Sequence, residues 1–176
     1  MDECMDDPKI GFREVTAKNW RMLKESIIAS ECAFPEPIRC DAPHFCNILK
    51  KNGAVAYVAL AGRSYIGNIF GCAVSAEEMA ECGLSETEKA VYIFNFVIDK
   101  KFRKNGYGTE LLLKFIREAR TKGYEKVVGH FCRESSKLMK RLGAKEKGVM
   151  NNWCGSGDDY TVCELDISSP VMAPCQ

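Results

Sequence analysis

The segment from Val91 to Gly123 constrains the chain more than any other. It opens with Val91–Ile98, Val-Tyr-Ile-Phe-Asn-Phe-Val-Ile, a nearly unbroken apolar run rich in β-branched and aromatic residues. Such a run reads as a central strand covered on both faces. It passes through Asp99-Lys100-Lys101-Phe102-Arg103-Lys104-Asn105 into Gly106-Tyr107-Gly108-Thr109. The clearest helix in the sequence follows, Gly106–Lys122. Leu111, Leu112, Phe115, Ile116 and Ala119 make one apolar stripe along it, and Gly123 closes it. A buried strand that turns directly into an amphipathic helix requires a sheet with helices packed on it, so the fold class is α/β (α+β).

The flanking sequence supplies the other layers. Residues 10–15 alternate apolar and polar and read as a first strand. Thr16 is placed to cap a helix carrying Trp20, Leu23 and Ile27 on one face, and Phe34-Pro35-Glu36-Pro37 stops it. Asp41 caps a second helix, with Pro43 in its first turn and Asn52-Gly53 at its end. Strands are expected at 54–60 and 65–74, joined by Ala61-Gly62-Arg63-Ser64. Residues 75–89 carry five glutamates and read as a surface excursion with one helical turn. After the long helix come a strand at 126–131, a short helix at 135–142, and strands at 144–150 and 160–167. The order is β-α-α-β-β-β-α-β-α-β-β, a mixed sheet with helices on both sides. No repeat or linker divides it, so residues 10–168 are expected to form one domain between an acidic flexible start (1–9) and a flexible tail (169–176).

Bulk properties exclude some functions. The chain has 176 residues and a net charge of +1, which suits one core and gives no general drive toward nucleic acid. The first residues carry Asp2, Glu3, Asp6 and Asp7, the reverse of a secretory signal. The longest apolar stretches are too short to span a bilayer, and a cytoplasmic protein is expected. Ten cysteines occur without a Cys-x-x-Cys pair, which favours reduced thiols. His44-Phe45-Cys46 and His130-Phe131-Cys132 repeat one tripeptide, but their spacing is not that of a zinc module, and no metal is expected.

The turn at Arg103–Gly108 has its own chemistry. A helix N-terminus leaves backbone N–H groups unpaired and carries partial positive charge. Glycines let the backbone approach an anion with no Cβ in the way. Lys100, Lys101, Arg103 and Lys104 add cations beside it. Together these make a cradle for a pyrophosphate. The pattern is not a Walker A loop, and it lacks the third glycine of a dinucleotide fingerprint.

Residues 91–109 resemble the central strand and Arg/Gln-x-x-Gly-x-Gly/Ala motif of the GNAT superfamily of acyl-CoA-dependent N-acyltransferases, and residues 127–143, ending in Leu-Gly, resemble its following strand and helix. The resemblance extends to the element order of residues 10–167. It implies a single mixed, mostly antiparallel twisted sheet of about seven strands. It implies acetyl-CoA as cosubstrate and an amine as acceptor, in a monomer or homodimer with no nucleic-acid or membrane partner. Arg103, Lys104, Asn105, Gly106, Tyr107, Gly108 and Thr109 would hold the pyrophosphate. Phe96, Val97 and Ile98 would bind the pantetheine arm and orient the thioester, with Cys132, Ser136 and Met139 as further cofactor contacts.

The sequence departs from the family pattern at the proton-transfer groups. The tyrosine that often precedes the Gly of Leu-Gly by four residues is Met139 here, which cannot donate a proton. An asparagine often found seven residues earlier is Cys132, and Tyr92–Ile98 contains no carboxylate. The candidates that remain are Asn95, His130 and Ser135, with Ser136, Cys132, Tyr65, Asp158 and Asp159 as further options and a water-relayed base as another. Two functions stay open: direct acetyl transfer to a primary amine, and a non-catalytic acyl-CoA-binding module.

Overall fold

The computed structural model describes residues 10–169. The expected acidic start at 1–9 lies outside the described residues, as does the tail from 170. Seven strands and five α-helices follow one another as β1 Ile10–Glu14, α1 Trp20–Ser30, α2 Ala42–Leu49, β2 Val55–Ala61, β3 Ser64–Ala73, α3 Ala76–Cys82, β4 Ala90–Ile98, α4 Tyr107–Thr121, β5 Lys126–Phe131, α5 Arg133–Arg141, β6 Lys145–Met150 and β7 Tyr160–Asp166. The strands form one sheet in the order β1-β2-β3-β4-β5-β7-β6. Every pairing is antiparallel except β4 with β5.

The two-residue period of the strands divides the core in two. Val55, Tyr57 and Ala59 of β2 face α4 and α5, where Leu111, Leu112, Phe115, Ile116 and Met139 lie buried with Ile69, Ile93 and Val127. Ala56 and Val58 face the other way, against Trp20, Leu23 and Ile27 of α1 and Phe45 of α2. Burial of each large apolar side chain contributes about 1.5–3 kcal/mol. Edge strand β6 is exposed over most of its length, and its Lys145, Glu146 and Lys147 discourage pairing with another chain.

Local chemistry sets the helix ends. Asp41 caps α2, its Oδ1 accepting the His44 N–H at 2.8 Å. At α1 the boundary residue is Asn19 rather than Thr16. Asn19 accepts the Thr16 N–H at 2.8 Å and donates to the Glu14 carbonyl at 2.8 Å, which locks residues 16–19 as a turn before the helix. The acidic excursion holds a two-turn helix, α3, where one turn was expected. Ser75 and Glu78 form a reciprocal capping box at its start, and Gly83 ends it in the left-handed conformation. α5 begins at Arg133, two residues earlier than the sequence pattern suggests.

Two irregularities in β4 matter for function. Asn95 lies opposite Phe70 and Ile93 opposite Gly71, so Phe94 is an extra, bulged residue. On its other side β4 pairs with β5 only through Ala90–Tyr92 against Lys126–Val128. Beyond Tyr92 the two strands part and a cleft opens through the sheet.

Eight cysteines in the described region are free thiols, of which Cys72, Cys82 and Cys163 are buried. No helix among the described residues is long and apolar enough to cross a membrane. No group of three or more His, Cys, Asp or Glu side chains in this region is placed to hold a metal.

Candidate functional site

One wall of the cleft ends at the turn before α4. Gly106 adopts φ +81° and Lys104 φ +67°, so two residues within three sit in left-handed backbone. For lysine this conformation is strained, and such strain concentrates at ligand-binding turns. Among the described residues, the amide N–H groups of residues 104–109 find no backbone acceptor, the first helical bond being from Glu110 N–H to the Gly106 carbonyl. They converge at the N-terminus of a 15-residue helix, which favours an anion there. Arg103 does more than add charge. Its Nε donates to the Ile98 carbonyl at 2.9 Å, tying the turn to the end of β4.

The backbone of β4 presents polar groups to the cleft. Asp99 N–H donates to the Ile66 carbonyl at 2.8 Å. Since antiparallel pairing alternates, Val97 shares that orientation toward β3, while Phe96 and Ile98 turn their N–H and C=O groups toward the side β5 has left. The backbone expected to bind the thioester thus faces the gap between β4 and β5. The Phe96 and Ile98 side chains, with Leu138 of α5, approach Gly108 at the N-terminus of α4.

On the sheet face covered by α3, a buried polar pair lies where β4 and β5 part. The Tyr92 hydroxyl lies 2.7 Å from His130 Nδ1. Parallel pairing of β4 and β5 brings them together, since Tyr92 is opposite Val128, two residues before His130. The His130 side chain has no accessible surface, and its Nε2 lies 3.3 Å from a Glu81 carboxylate oxygen on α3, outside hydrogen-bond geometry. Trp153, in the turn between β6 and β7, stacks on the imidazole at 4.5 Å with an interplanar angle of 11°. Burial holds His130 down at about 4, so the ring is neutral at physiological pH. Burial also raises Tyr92, with the charges of Glu78, Cys82, Glu81 and Cys154 acting in the same direction. Sequence reasoning singled out His130 but missed Tyr92, which sits inside an apolar run, and Glu81.

Asn95 is engaged in a buried side-chain network. Its Nδ2 donates to Glu31, and its Oδ1 accepts from Asn68 Nδ2. Asn68 Oδ1 in turn accepts from the Tyr65 and Ser30 hydroxyls. Glu31 is 4% exposed, and its second oxygen accepts the Cys40 N–H at 2.7 Å. Burial raises the Glu31 carboxyl above its usual range, against the lowering effect of those two donors. The network joins the segment after α1 to the bulge in β4, with Asn95 as its middle member. Asn95→Ala is expected to lower stability by about 3 kcal/mol, because Asn68 Nδ2 and one Glu31 oxygen lose buried partners. Urea midpoints at pH 7 check this, and a change below about 0.5 kcal/mol would mean that water replaces the amide.

The remaining candidates divide. Cys132 precedes α5, and its Sγ lies 3.2 Å from Ser135 Oγ. Ser135 Oγ also donates to the Cys132 carbonyl at 3.2 Å. Ser136 is buried and donates to the Arg133 carbonyl at 3.0 Å. Met139 has no accessible surface and belongs to the core between α5 and the sheet, so a cofactor contact would require it to move. Tyr65 is absorbed in the Asn68 network. Asp158 and Asp159 build the exposed turn that carries Trp153, the first through its carbonyl to the Trp153 N–H and the second through Oδ1 to the Asn152 N–H.

Residues 18–143 match the model of the acetyltransferase (GNAT) family. None of the curated proteins matches the sequence. Solved structures superpose over almost the whole chain. Ard1 from Thermoplasma volcanium aligns with a TM-score of 0.70 at 16% identity, covering 91% of this chain and 99% of that one. The ribosomal-protein-S18-alanine N-acetyltransferase from Escherichia coli gives 0.68 at 15%, covering 94% and 96%. Arabidopsis thaliana NAA60 in complex with acetyl-CoA gives 0.69 at 18%, covering 92% and 100%. At these identities the likeness is one of fold.

Proposed function

We propose that this chain, which belongs to the acetyltransferase (GNAT) family, transfers the acetyl group of acetyl-CoA directly to a primary amine, with Tyr92 and His130 handling the proton. One observation carries this reading: β4 and β5 part between a run of amides at the start of α4 that lack backbone acceptors and the Tyr92–His130 pair beside their last shared register. The pyrophosphate would rest on the N–H groups of residues 104–109, and the pantetheine on the backbone of Phe96 and Ile98.

Attack on a thioester by an amine needs orientation, stabilisation of the carbonyl oxygen, and a neutral nitrogen. An unpaired β4 N–H in the cleft supplies a donor for the oxygen. Tyr92 Oη takes a proton from the amine while the hydroxyl passes its own to His130 Nδ1, 2.7 Å away. The nitrogen forms its bond to the acetyl carbon, and the carbon–sulfur bond breaks. The departing thiolate takes one proton, the number that the amine loses; that proton returns from His130 Nδ1 through the Tyr92 hydroxyl, directly or by way of water, so both groups end as they began and no donor is needed at Met139.

The acceptor is a small amine, an amino acid, or a peptide or protein amino group. Thiol release from acetyl-CoA, measured against a panel of these classes, tests the proposal. Acceptor-stimulated release for one class is the expected result. Tight acetyl-CoA binding with no stimulated release for any class would instead make the chain a non-catalytic acyl-CoA-binding module.

A further inference from the structure

We infer that Glu81 is a positioning residue for His130: its carboxylate fixes the imidazole proton on Nε2 and so leaves Nδ1 as the acceptor for the Tyr92 hydroxyl. The inference rests on the reading of Tyr92 and His130 as the proton-handling pair.

A neutral imidazole carries one proton, and which nitrogen holds it is set by what each nitrogen faces. His130 is sealed, with no accessible side-chain surface and Trp153 lying flat on one face. Nε2 has no hydrogen-bond partner among the described residues, and Glu81 Oε2 lies 3.3 Å away. A lone pair on Nε2 would meet a carboxylate at that distance, whereas an N–H there meets it favourably. His130 is sealed on its side of the contact while Glu81 is 32% exposed, so solvent screens the preference in part without reversing its sign. The contact is off-line for a hydrogen bond, as catalytic contacts in unliganded enzymes commonly are, and it tightens when charge develops on the ring. With the proton on Nε2, the Tyr92 hydroxyl must be the donor in the 2.7 Å contact at Nδ1. The direction of proton movement, amine to Tyr92 to His130, is then set before substrate arrives.

The groups whose charges act on Glu81 and Tyr92 agree with this. On α3 stand Glu77 and Glu78 beside Glu81, on β4 stands Tyr92, and on the turn after β6 stand Trp153 and Cys154. Burial, and then the charges of Glu77 and Glu78, push the Glu81 carboxyl upward. No cation among the described residues pairs with Glu81. A carboxylate so placed is satisfied when His130 becomes imidazolium: Nδ1 gains the tyrosine proton, Nε2 keeps its own, and the positive charge forms against Glu81. Helix α3 makes the placement. Its Ser75–Glu78 capping box and Gly83 terminus fix a two-turn element whose last turn carries Glu81 to within 3.3 Å of His130 Nε2.

Nitrogen-15 spectra of protein labelled at histidine test the inference without relying on turnover. The chain has two histidines, and exposed His44 serves as the internal reference. At pH 7 His130 is expected in the Nε2–H form. In Glu81→Gln a share of Nδ1–H should appear, and kcat should fall about 10- to 100-fold with KM for acetyl-CoA unchanged. Glu81→Asp should recover part of both. The inference is overturned if wild-type His130 carries its proton on Nδ1, or if Glu81→Gln changes neither tautomer nor kcat. If Tyr92→Phe keeps full activity while the Glu81-dependent tautomer persists, the base assignment fails and the positioning of His130 stands.

Discussion

Replacing Gly108 with tryptophan is expected to weaken acetyl-CoA binding at least 100-fold while the chain stays folded. The argument is one of space. A Cβ at Gly108 would lie 3.5 Å from Ile98 Cγ1, 3.7 Å from Phe96 Cζ and 3.8 Å from Leu138 Cδ2. These are ordinary contacts, so a methyl fits and anything larger extends into the groove between β4 and α5. An indole there occupies the volume through which pantetheine must pass and shields the amides of the turn. Gly108→Ala is the matched control. It should bind within a few-fold of wild type and be equally or more stable, since alanine is favoured over glycine in a helix by about 1 kcal/mol. Gly106 acts differently. Its hypothetical Cβ meets nothing within 4 Å, but its φ of +81° disfavours side chains, so Gly106→Val should perturb the turn through its backbone. Calorimetric titration with acetyl-CoA, alongside far-ultraviolet dichroism, separates these effects. Unchanged affinity in Gly108→Trp would place the pyrophosphate elsewhere.

The strand, turn and helix of the proposed cradle were legible in the sequence because everything that makes them is local. A strand, a turn with two glycines and a helix are consecutive, and their periods and punctuation survive in one dimension. The same holds for Asp41 as a helix cap. The cluster proposed to handle the proton was not legible, because Tyr92, His130, Glu81 and Trp153 come from four segments that meet only through the sheet. Tyr92 reaches His130 by a parallel register between β4 and β5 that no local pattern specifies. In the sequence, Tyr92 is one aromatic residue in an apolar run. Glu81 belongs to a stretch whose many glutamates suggest a solvated surface, yet Ser75-Ala76-Glu77-Glu78 is a capping-box signature that marks a helix. Asn95 is the reverse case. A lone polar residue in an apolar strand invites a catalytic reading, while the side chains that engage it beside the bulge, Asn68 and Glu31, come from distant segments that no local pattern joins to it.

Tyr92→Phe is expected to lower kcat by about 10²–10³-fold, in the range for loss of a general base, with KM for acetyl-CoA little changed because the cradle is untouched. His130→Gln should produce a similar loss. The double variant should lose little more than either single one, since the two groups act as a unit. Each single change also removes a buried hydrogen-bond partner, so stability should fall by about 1–3 kcal/mol, and turnover is compared well below the unfolding midpoint. The pH dependence separates this pair from an ordinary exposed histidine. With His130 at about 4, the base stays neutral through the range in which a solvated imidazole would protonate. The kcat/KM profile should therefore lack an ascending limb near 6.5 and follow the acceptor amine instead. Stability follows from the same shift. Between about pH 6.5 and 4 the unfolded chain binds a proton at this position that the folded chain does not. The stability associated with neutral His130 is thus fully present above 6.5 and lost progressively toward 4, and His130→Gln removes that part of the acid sensitivity. Trp153→Ala provides the converse test. Opening one face of the imidazole to water relieves the desolvation that depresses it, so an ascending limb should appear and move toward 6.5. If that limb is already present in the wild-type enzyme, the ring is not sealed during turnover, and Trp153 must leave it before the amine gives up its proton.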